Sequence, residues 1–246
     1  MKKRKGIILA GGNGTRLYPL TYAVSKQMLP VYDKPMIYYP ISTLQSFDIN
    51  DILIIAKSMS DMKMYQKMVA PIDSNFSFAI QKRASGIPDA FNIGHKFIGD
   101  DDVTLILGDN IFDGIFPAYE NKVSIYGVKT STPELYGVID SRKDKVRIVE
   151  KPTEYISDYA VPGLYHFDNS VKEKSIKLEK SKRGELEIVD VINQYIEEDN
   201  MKVEYCPDDM AWFDCGNHEH LLEAGNYVRA IQNRTSRIVG GVKYGR

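Results

Sequence analysis

Cysteine and tryptophan are scarce in this chain, and long apolar runs are missing. The 246 residues include 2 cysteines, Cys206 and Cys215, and 1 tryptophan. Two cysteines make neither a disulfide framework nor a zinc-ligand spacing, so both are expected as thiols in a reducing compartment. No stretch reaches the roughly 18 apolar residues a membrane helix needs. The basic start Lys2-Lys3-Arg4-Lys5 passes straight into a strand-like segment, unlike a signal peptide. Excess charge is also lacking: 32 basic residues stand against 33 acidic ones, which argues against a general affinity for nucleic acid or anionic membrane. A soluble, cytoplasmic protein is expected. With no internal repeat, low-complexity tract or Pro/Gly/Ser-rich linker, the length suits one sizeable α/β domain.

Two common phosphate-binding patterns are absent as well. Neither Gly-x-x-x-x-Gly-Lys-Ser/Thr nor an intact Gly-x-Gly-x-x-Gly occurs near the start, so an ordinary P-loop enzyme or dehydrogenase loses ground. What stands there is Leu9-Ala10-Gly11-Gly12-Asn13-Gly14-Thr15-Arg16-Leu17, directly after the apolar run Gly6-Ile7-Ile8-Leu9. Clustered glycines let backbone N–H groups approach an anion closely, and Arg16 adds a planar cation with several donors. A nucleoside triphosphate suits such a loop; a tight strand-to-helix turn that binds nothing is the plainer alternative.

Apolar runs of strand length recur at Ile7–Leu9, Ile52–Ile55, Phe76–Ile80 and Val103–Leu107, separated by helix-length segments Met36–Phe47, Asp61–Val69 and Gly86–Phe97. Continuous β-branched runs alternating with helices predict a three-layer α/β/α architecture around a mostly parallel sheet. Ligands of such sheets bind beyond the strands' carboxyl ends, which puts Gly11 to Arg16 and Asp109 on one rim. The second half predicts strands near 122–129, 145–149, 160–167 and 201–205 with helices near 170–178 and 186–197. These are expected to extend the sheet into a smaller lobe. One domain over 1–246 is expected, with a nucleotide-binding part at about 1–115 and a sugar-binding part at about 116–246.

Residues 9 to 40, including Ser25-Lys26-Gln27-Met28-Leu29-Pro30-Val31 and Asp33-Lys34-Pro35-Met36-Ile37-Tyr38-Tyr39-Pro40, closely resemble the signature of the sugar-1-phosphate nucleotidylyltransferases, specifically their glucose-1-phosphate thymidylyltransferase branch. The resemblance continues in family order through Leu107-Gly108-Asp109-Asn110, Tyr136-Gly137-Val138, Glu150-Lys151-Pro152, Tyr159 to Tyr165, Arg183 to Asp190 and Trp212-Phe213-Asp214-Cys215-Gly216. It implies a Rossmann-like nucleotidyltransferase fold. The implied reaction transfers a thymidylyl group from dTTP to α-D-glucose 1-phosphate, giving dTDP-glucose, an entry to deoxysugars such as rhamnose, and pyrophosphate. Another NTP such as UTP or CTP, another hexose 1-phosphate, or a non-catalytic nucleotide-sugar sensor are the alternatives on the same fold.

Joining two phosphates demands that charge repulsion be overcome, so cations, backbone donors and a metal site are the useful groups. The resemblance gives the triphosphate to Gly11, Gly14, Thr15, Arg16 and Lys26, with Gln27 also at the substrate. It gives Mg²⁺ to Asp109 and Asp214, the sugar to Gly137, Glu150 and Val161, and the sugar phosphate to Lys151. Arg16, Lys26, Asp109 and Lys151 form the expected catalytic set. Gln81, with Gly86 leaving room, is the candidate reader of a pyrimidine edge. Between them Lys82-Arg83-Ala84-Ser85 replaces a proline-containing acidic segment of the long-form pattern, and Asp89 stands where glutamine is common. Cys215 replaces a small hydroxyl residue and is expected as a tolerated small side chain. The chain resembles the short form of the family, so the long form's regulatory pocket, built with later helices, is expected to be incomplete, and homo-oligomers are expected.

Overall fold

The computed structural model describes residues 3–117, 122–142, 144–181 and 184–245; Arg183 of the sequence pattern lies outside them. The first elements are β1 (Arg4–Ala10), β2 (Pro30–Val31), β3 (Lys34–Pro35), α1 (Tyr38–Ser46), β4 (Asp51–Ala56), α2 (Met59–Val69) and β5 (Asn75–Ile80). There follow α3 (Asp89–Ile93), α4 (His95–Ile98), β6 (Asp102–Leu107), β7 (Asn110–Asp113), β8 (Ser124–Lys129), β9 (Gly137–Asp140) and β10 (Arg147–Glu150). The last are β11 (Tyr159–Val161), β12 (Leu164–Phe167), α5 (Val171–Ile176), α6 (Ile188–Glu197), β13 (Lys202–Tyr205), β14 (Ala211–Asp214) and α7 (His218–Thr235).

The chain divides into two compact units, each built from separated segments. The first holds Arg4–Ala84, Leu105–Asp113 and Ala211–Arg246; the second holds Met1–Lys3, Ser85–Thr104 and Gly114–Met210. This division differs from the expected parts 1–115 and 116–246. The reason is a long-range ladder: β14 pairs antiparallel with β7, Asp214 opposite Asn110 and Ala211 opposite Asp113, which draws the last segment into the first unit.

In the first unit β1 pairs parallel with β4, and β4 with β5. The centres of β1 and β4 are apolar on both faces, with Ile7, Ile8, Ile52, Ile54 and Ile55 all buried, as a covered parallel sheet requires, whereas β5 is the partly exposed edge. Helix α1 lies close to β1, where a Cβ on Gly6 would stand 2.7 Å from Leu44 Cδ1. Helix α7, which the sequence pattern did not reveal, buries Ala224 and Val228 with Val31, Met36, Tyr39, Ile111 and Cys215. After α7 the tail is tied down repeatedly. Ser42 Oγ donates to the Gly241 carbonyl at 2.9 Å, the Lys243 amide donates to Gln45 Oε1 at 2.9 Å, and Arg237 forks onto Asp113 with Nη2 to Oδ2 at 2.7 Å.

The second unit is mainly antiparallel. β8 pairs with β11 and β12 antiparallel and with β13 parallel, while β9 runs antiparallel to both β10 and β11. The strand expected over 160–167 is two strands, because Pro162 lacks an N–H and the chain turns through Pro162-Gly163, the Leu164 amide bonding back to the Pro162 carbonyl at 2.8 Å. The helix expected from Gly86 starts only at Asp89, after Pro88, and is interrupted at Gly94. The core closes with Phe91 edge-on to Phe167 at 5.5 Å and a buried polar chain, Thr104 Oγ1 to His166 Nδ1 at 2.7 Å and Tyr126 to His166 Nε2 at 3.2 Å.

The Asp113–Arg237 fork makes tail docking pH-sensitive. Burial alone would raise the Asp113 carboxyl, but the bonds from Arg237 and Tyr227 and the guanidinium charge outweigh it and hold it below its ordinary 3.8. A depressed folded value contributes stability that is present above the unfolded value and lost as pH falls through the folded one. The native chain should therefore be more stable than Asp113→Asn at neutral pH, with the gap closing below about pH 4. Urea unfolding of both proteins across that range measures it; a gap that ignores pH would show that the charge is irrelevant.

Candidate active site

In the first unit β1 ends at Ala10 and the chain enters the glycine loop. Gly14 adopts a left-handed conformation, φ 64°, which a side chain would disfavour. Its carbonyl accepts the Thr21 hydroxyl at 2.8 Å and the Leu17 amide at 3.0 Å. These bonds set a single 3₁₀ turn, Thr15–Leu17, that buries Leu17 and leaves Thr15 and Arg16 exposed. Gln81 lies over the loop's start: a Cβ on Gly11 would stand 2.8 Å from Gln81 Oε1. The structure thus joins Gln81 to Gly11, at the ends of β5 and β1.

A buried and a half-buried carboxylate meet where β7 and β14 pair. Asp109 precedes β7 and Asp214 ends β14, and the Cys215 amide donates to the Asp109 carbonyl at 2.9 Å. Asp109 is 7% exposed and its Oδ2 receives the Lys26 ammonium in an ion pair. Burial alone would raise its carboxyl, but the charge and hydrogen bond of Lys26 outweigh this and leave it lowered. Asp214 is raised, first by burial and then by the adjacent Asp109, with Lys26, Arg16 and His220 opposing. Arg16 shares this corner: a Cβ on Gly216 would lie 2.5 Å from Arg16 Nη2 and 3.0 Å from Asp214 Oδ1.

No group of three or more His, Cys, Asp or Glu side chains among the described residues is arranged as a closed metal site. Two hard oxygen donors with room for other ligands are what Mg²⁺ takes, since it keeps waters and shares substrate phosphates. Mutual repulsion between Asp109 and Asp214 gives a divalent cation something to neutralise. The donor set fits that ion.

Lys26 opens a 3₁₀ turn, Lys26–Met28, whose middle residue Gln27 is 1% exposed. Gln27 Oε1 accepts from Ser25 Oγ at 2.7 Å, and Tyr65 donates to Ser25 Oγ at 2.8 Å. Sequence pattern alone does not point to Tyr65 and Ser25 as parts of this arrangement. Ser25 opens the Ser25–Val31 motif, whereas Tyr65 carries no signal beyond lying on a predicted helix. Trp212 Nε1 donates to Asn110 Oδ1 at 2.7 Å, steadying the residue beside Asp109. Cys215 is fully buried and its thiol is pushed up by burial and by Asp109 and Asp214, an environment that disfavours a thiolate nucleophile.

The second unit gathers most of the other candidates. Register places Glu150 opposite Gly137 on one side and Val161 opposite it on the other, so three adjacent strands present all three. A Cβ on Gly137 would lie 3.6 Å from Glu150 Oε2. Lys151 follows with φ 42°, its amide bonded to the Tyr136 carbonyl at 2.9 Å and its Nζ 3.8 Å from Glu150 Oε1. Such a backbone is costly for a non-glycine residue and is commonly found where a side chain must be aimed. Gly86 also belongs to this unit, at φ 105° in a bridge to Leu186, and a Cβ there would overlap the Leu186 carbonyl. Its glycine is accounted for by that backbone crossing.

Residues 5–230 match the profile of the Nucleotidyl transferase family. The chain belongs to that family. Among its relatives, a glucose-1-phosphate thymidylyltransferase of Neisseria meningitidis is 43% identical over 93% of this chain and 84% of its own length. One from Mycolicibacterium smegmatis is 42% identical over 96% of this chain and 86% of its own length. A Bacillus anthracis structure assigned as a glucose-1-phosphate thymidylyltransferase, in complex with sucrose, superposes with a TM-score of 0.84 at 35% identity, covering 92% of this chain and 96% of that one. A UDP-glucose pyrophosphorylase, at 23% identity and a TM-score of 0.78, shares the fold. The expected Rossmann-like nucleotidyltransferase architecture, a mixed sheet with flanking helices, is therefore the family fold.

For this nucleotidyl transferase the carboxylate pair generates a prediction. Asp214→Asn removes one of two like charges that burial forces together, so the metal-free variant should melt a few degrees higher than the native chain. If Mg²⁺ binds here, added MgCl₂ should raise the native chain's melting point and the same change should abolish that rise. Thermal melts with and without MgCl₂ test both; a lower melting point with an intact magnesium response would show that Asp214 is a structural carboxylate.

Proposed function

We propose that this chain is a glucose-1-phosphate thymidylyltransferase that uses Mg²⁺ held by Asp109 and Asp214. The observation that carries the reading is the pairing of buried Asp109 with half-buried Asp214, flanked by Lys26 and Arg16 and within the glycine loop's unit. That is equipment for a polyphosphate and a divalent cation, in a chain whose relatives bear this enzyme's name. The substrates are dTTP and α-D-glucose 1-phosphate, the product dTDP-glucose feeds deoxysugars such as rhamnose, and the enzyme works in the cytoplasm as a homo-oligomer.

A phosphate oxygen of the sugar 1-phosphate attacks the α-phosphorus of dTTP; that O–P bond forms as the bond from the α-phosphorus to the bridging oxygen breaks, and pyrophosphate departs in line. No covalent enzyme intermediate is needed, so catalysis is alignment and charge neutralisation. The backbone of Gly11 to Thr15 binds phosphate oxygens. Arg16, exposed on its turn, forks onto the departing β- and γ-phosphates, where negative charge grows. Lys26, at Asp109, is a second cation for the triphosphate. Lys151 binds the attacking phosphate and lowers its repulsion, while Glu150, Gly137 and Val161 hold the sugar. Gln81 reads the base edge beside Gly11. Bound Mg²⁺ would supply charge stabilisation of several kcal/mol at the phosphates.

A pyrophosphate-release assay with dTTP, UTP, CTP and ATP against several hexose 1-phosphates should rank dTTP with glucose 1-phosphate first and require Mg²⁺. A folded sample that releases pyrophosphate with no combination would end the enzyme reading. Lys151→Ala should raise the KM for glucose 1-phosphate while sparing that for dTTP, and Arg16→Ala should do the reverse. Equal losses for both substrates in both variants would dissolve this division of labour.

A further inference from the structure

Tyr65 has no part in the chemistry above, yet it is the single fully buried polar-tipped side chain of α2's described inner face, whose other buried residue is Val69. A tyrosine that served only as core volume could be a phenylalanine, and burying its hydroxyl requires partners. It has them in a short chain: Tyr65 O–H donates to Ser25 Oγ at 2.8 Å, Ser25 O–H donates to Gln27 Oε1 at 2.7 Å, and the Tyr65 hydroxyl is 3.2 Å from the same Gln27 oxygen.

Ser25 and Gln27 bracket Lys26. The turn they bracket has little strength of its own: three residues long, it has no side-chain cap, and its internal bonds are Met28 N–H to Ser25 O at 2.9 Å and Leu29 N–H to Lys26 O at 3.0 Å. Single 3₁₀ turns are marginal without outside support. Gln27 supplies a second anchor, because its stem packs on the segment that carries Asp109: a Cβ on Gly108 would lie 2.9 Å from Gln27 Cγ. Lys26 thus stands between two buried, hydrogen-bonded neighbours, and its ammonium meets Asp109.

We propose that Tyr65 is a positioning residue for Lys26, acting through Ser25 and Gln27 to hold the Lys26–Met28 turn so that the ammonium meets the triphosphate and Asp109. The proposal rests on Lys26 being a triphosphate contact, as in the function above. Tyr65→Phe deletes one oxygen and keeps the ring. It should weaken dTTP binding, followed by calorimetry, roughly 3- to 10-fold, the usual effect of one buried hydrogen bond, and should leave the KM for glucose 1-phosphate within about twofold.

The deciding measurement is a double-mutant cycle on dTTP affinity. If Tyr65 acts through Lys26, adding Tyr65→Phe to Lys26→Ala changes dTTP affinity no further, whereas independent roles multiply. Multiplicative losses, or native dTTP affinity in Tyr65→Phe alone, would overturn the proposal. Should Tyr65→Phe fold poorly by circular dichroism, Ser25→Ala takes its place in the same cycle, where coupling supports the proposal and multiplicative losses overturn it. A native chain that binds dTTP with the expected coupling yet releases no pyrophosphate would sink the enzymatic reading and leave this one standing. An active native chain with uncoupled variants would do the opposite.

Discussion

The first unit is organised around a repulsion. Asp109, just before one strand, is buried, and Asp214, at the end of its partner, is half-buried beside it, so solvent relieves their mutual charge only in part. Burying two carboxylates together is unfavourable unless cations are close. Lys26 and Arg16 come from two separate short 3₁₀ turns to meet that demand. The unequal outcome, one carboxyl lowered by Lys26 and the other raised beside it, leaves the pair suited to a ligand with more positive charge than the protein provides.

Much of the surrounding structure holds that corner still. The β7–β14 ladder sets the spacing of the two carboxylates, Trp212 fixes Asn110 between them, and α7 buries Cys215 from behind. The tail then returns to brace the ladder's far end through Arg237 on Asp113. Packing of this kind is stiff, which matters for a reaction whose rate depends on aligning two phosphates rather than on a nucleophile's reactivity.

The second unit reaches precision by a different route. Antiparallel register brings Glu150 and Val161 to either side of Gly137, and the left-handed backbone at Lys151 re-aims the chain immediately after Glu150. Pleated strands alternate their faces, so a one-residue slip would send Glu150 to the opposite side. The hydrogen bond that the Lys151 amide donates to the Tyr136 carbonyl sits at that register point and guards it.

What the sequence determined by itself was local and chemical. β-Branched runs dictated β1, β4 and β6 because strands buried on both faces need apolar residues throughout, while β5, at the sheet's edge, is only partly covered. The glycine cluster dictated a turn whose left-handed backbone at Gly14 favours glycine, and the order of motifs identified the family. Strand ends and proline breaks were less legible: Pro162-Gly163 splits a continuous apolar stretch that periodicity reads as one strand. Tertiary structure alone decided that Ala211–Asp214 pairs with Asn110–Asp113, that Lys26 meets Asp109 across 83 positions, and that the Tyr65 hydroxyl reaches Ser25 beside Lys26. The physical reason is that periodicity reports which face of an element a residue occupies, while its partner is chosen by the burial of complementary faces and the pairing of buried polar groups far apart along the chain.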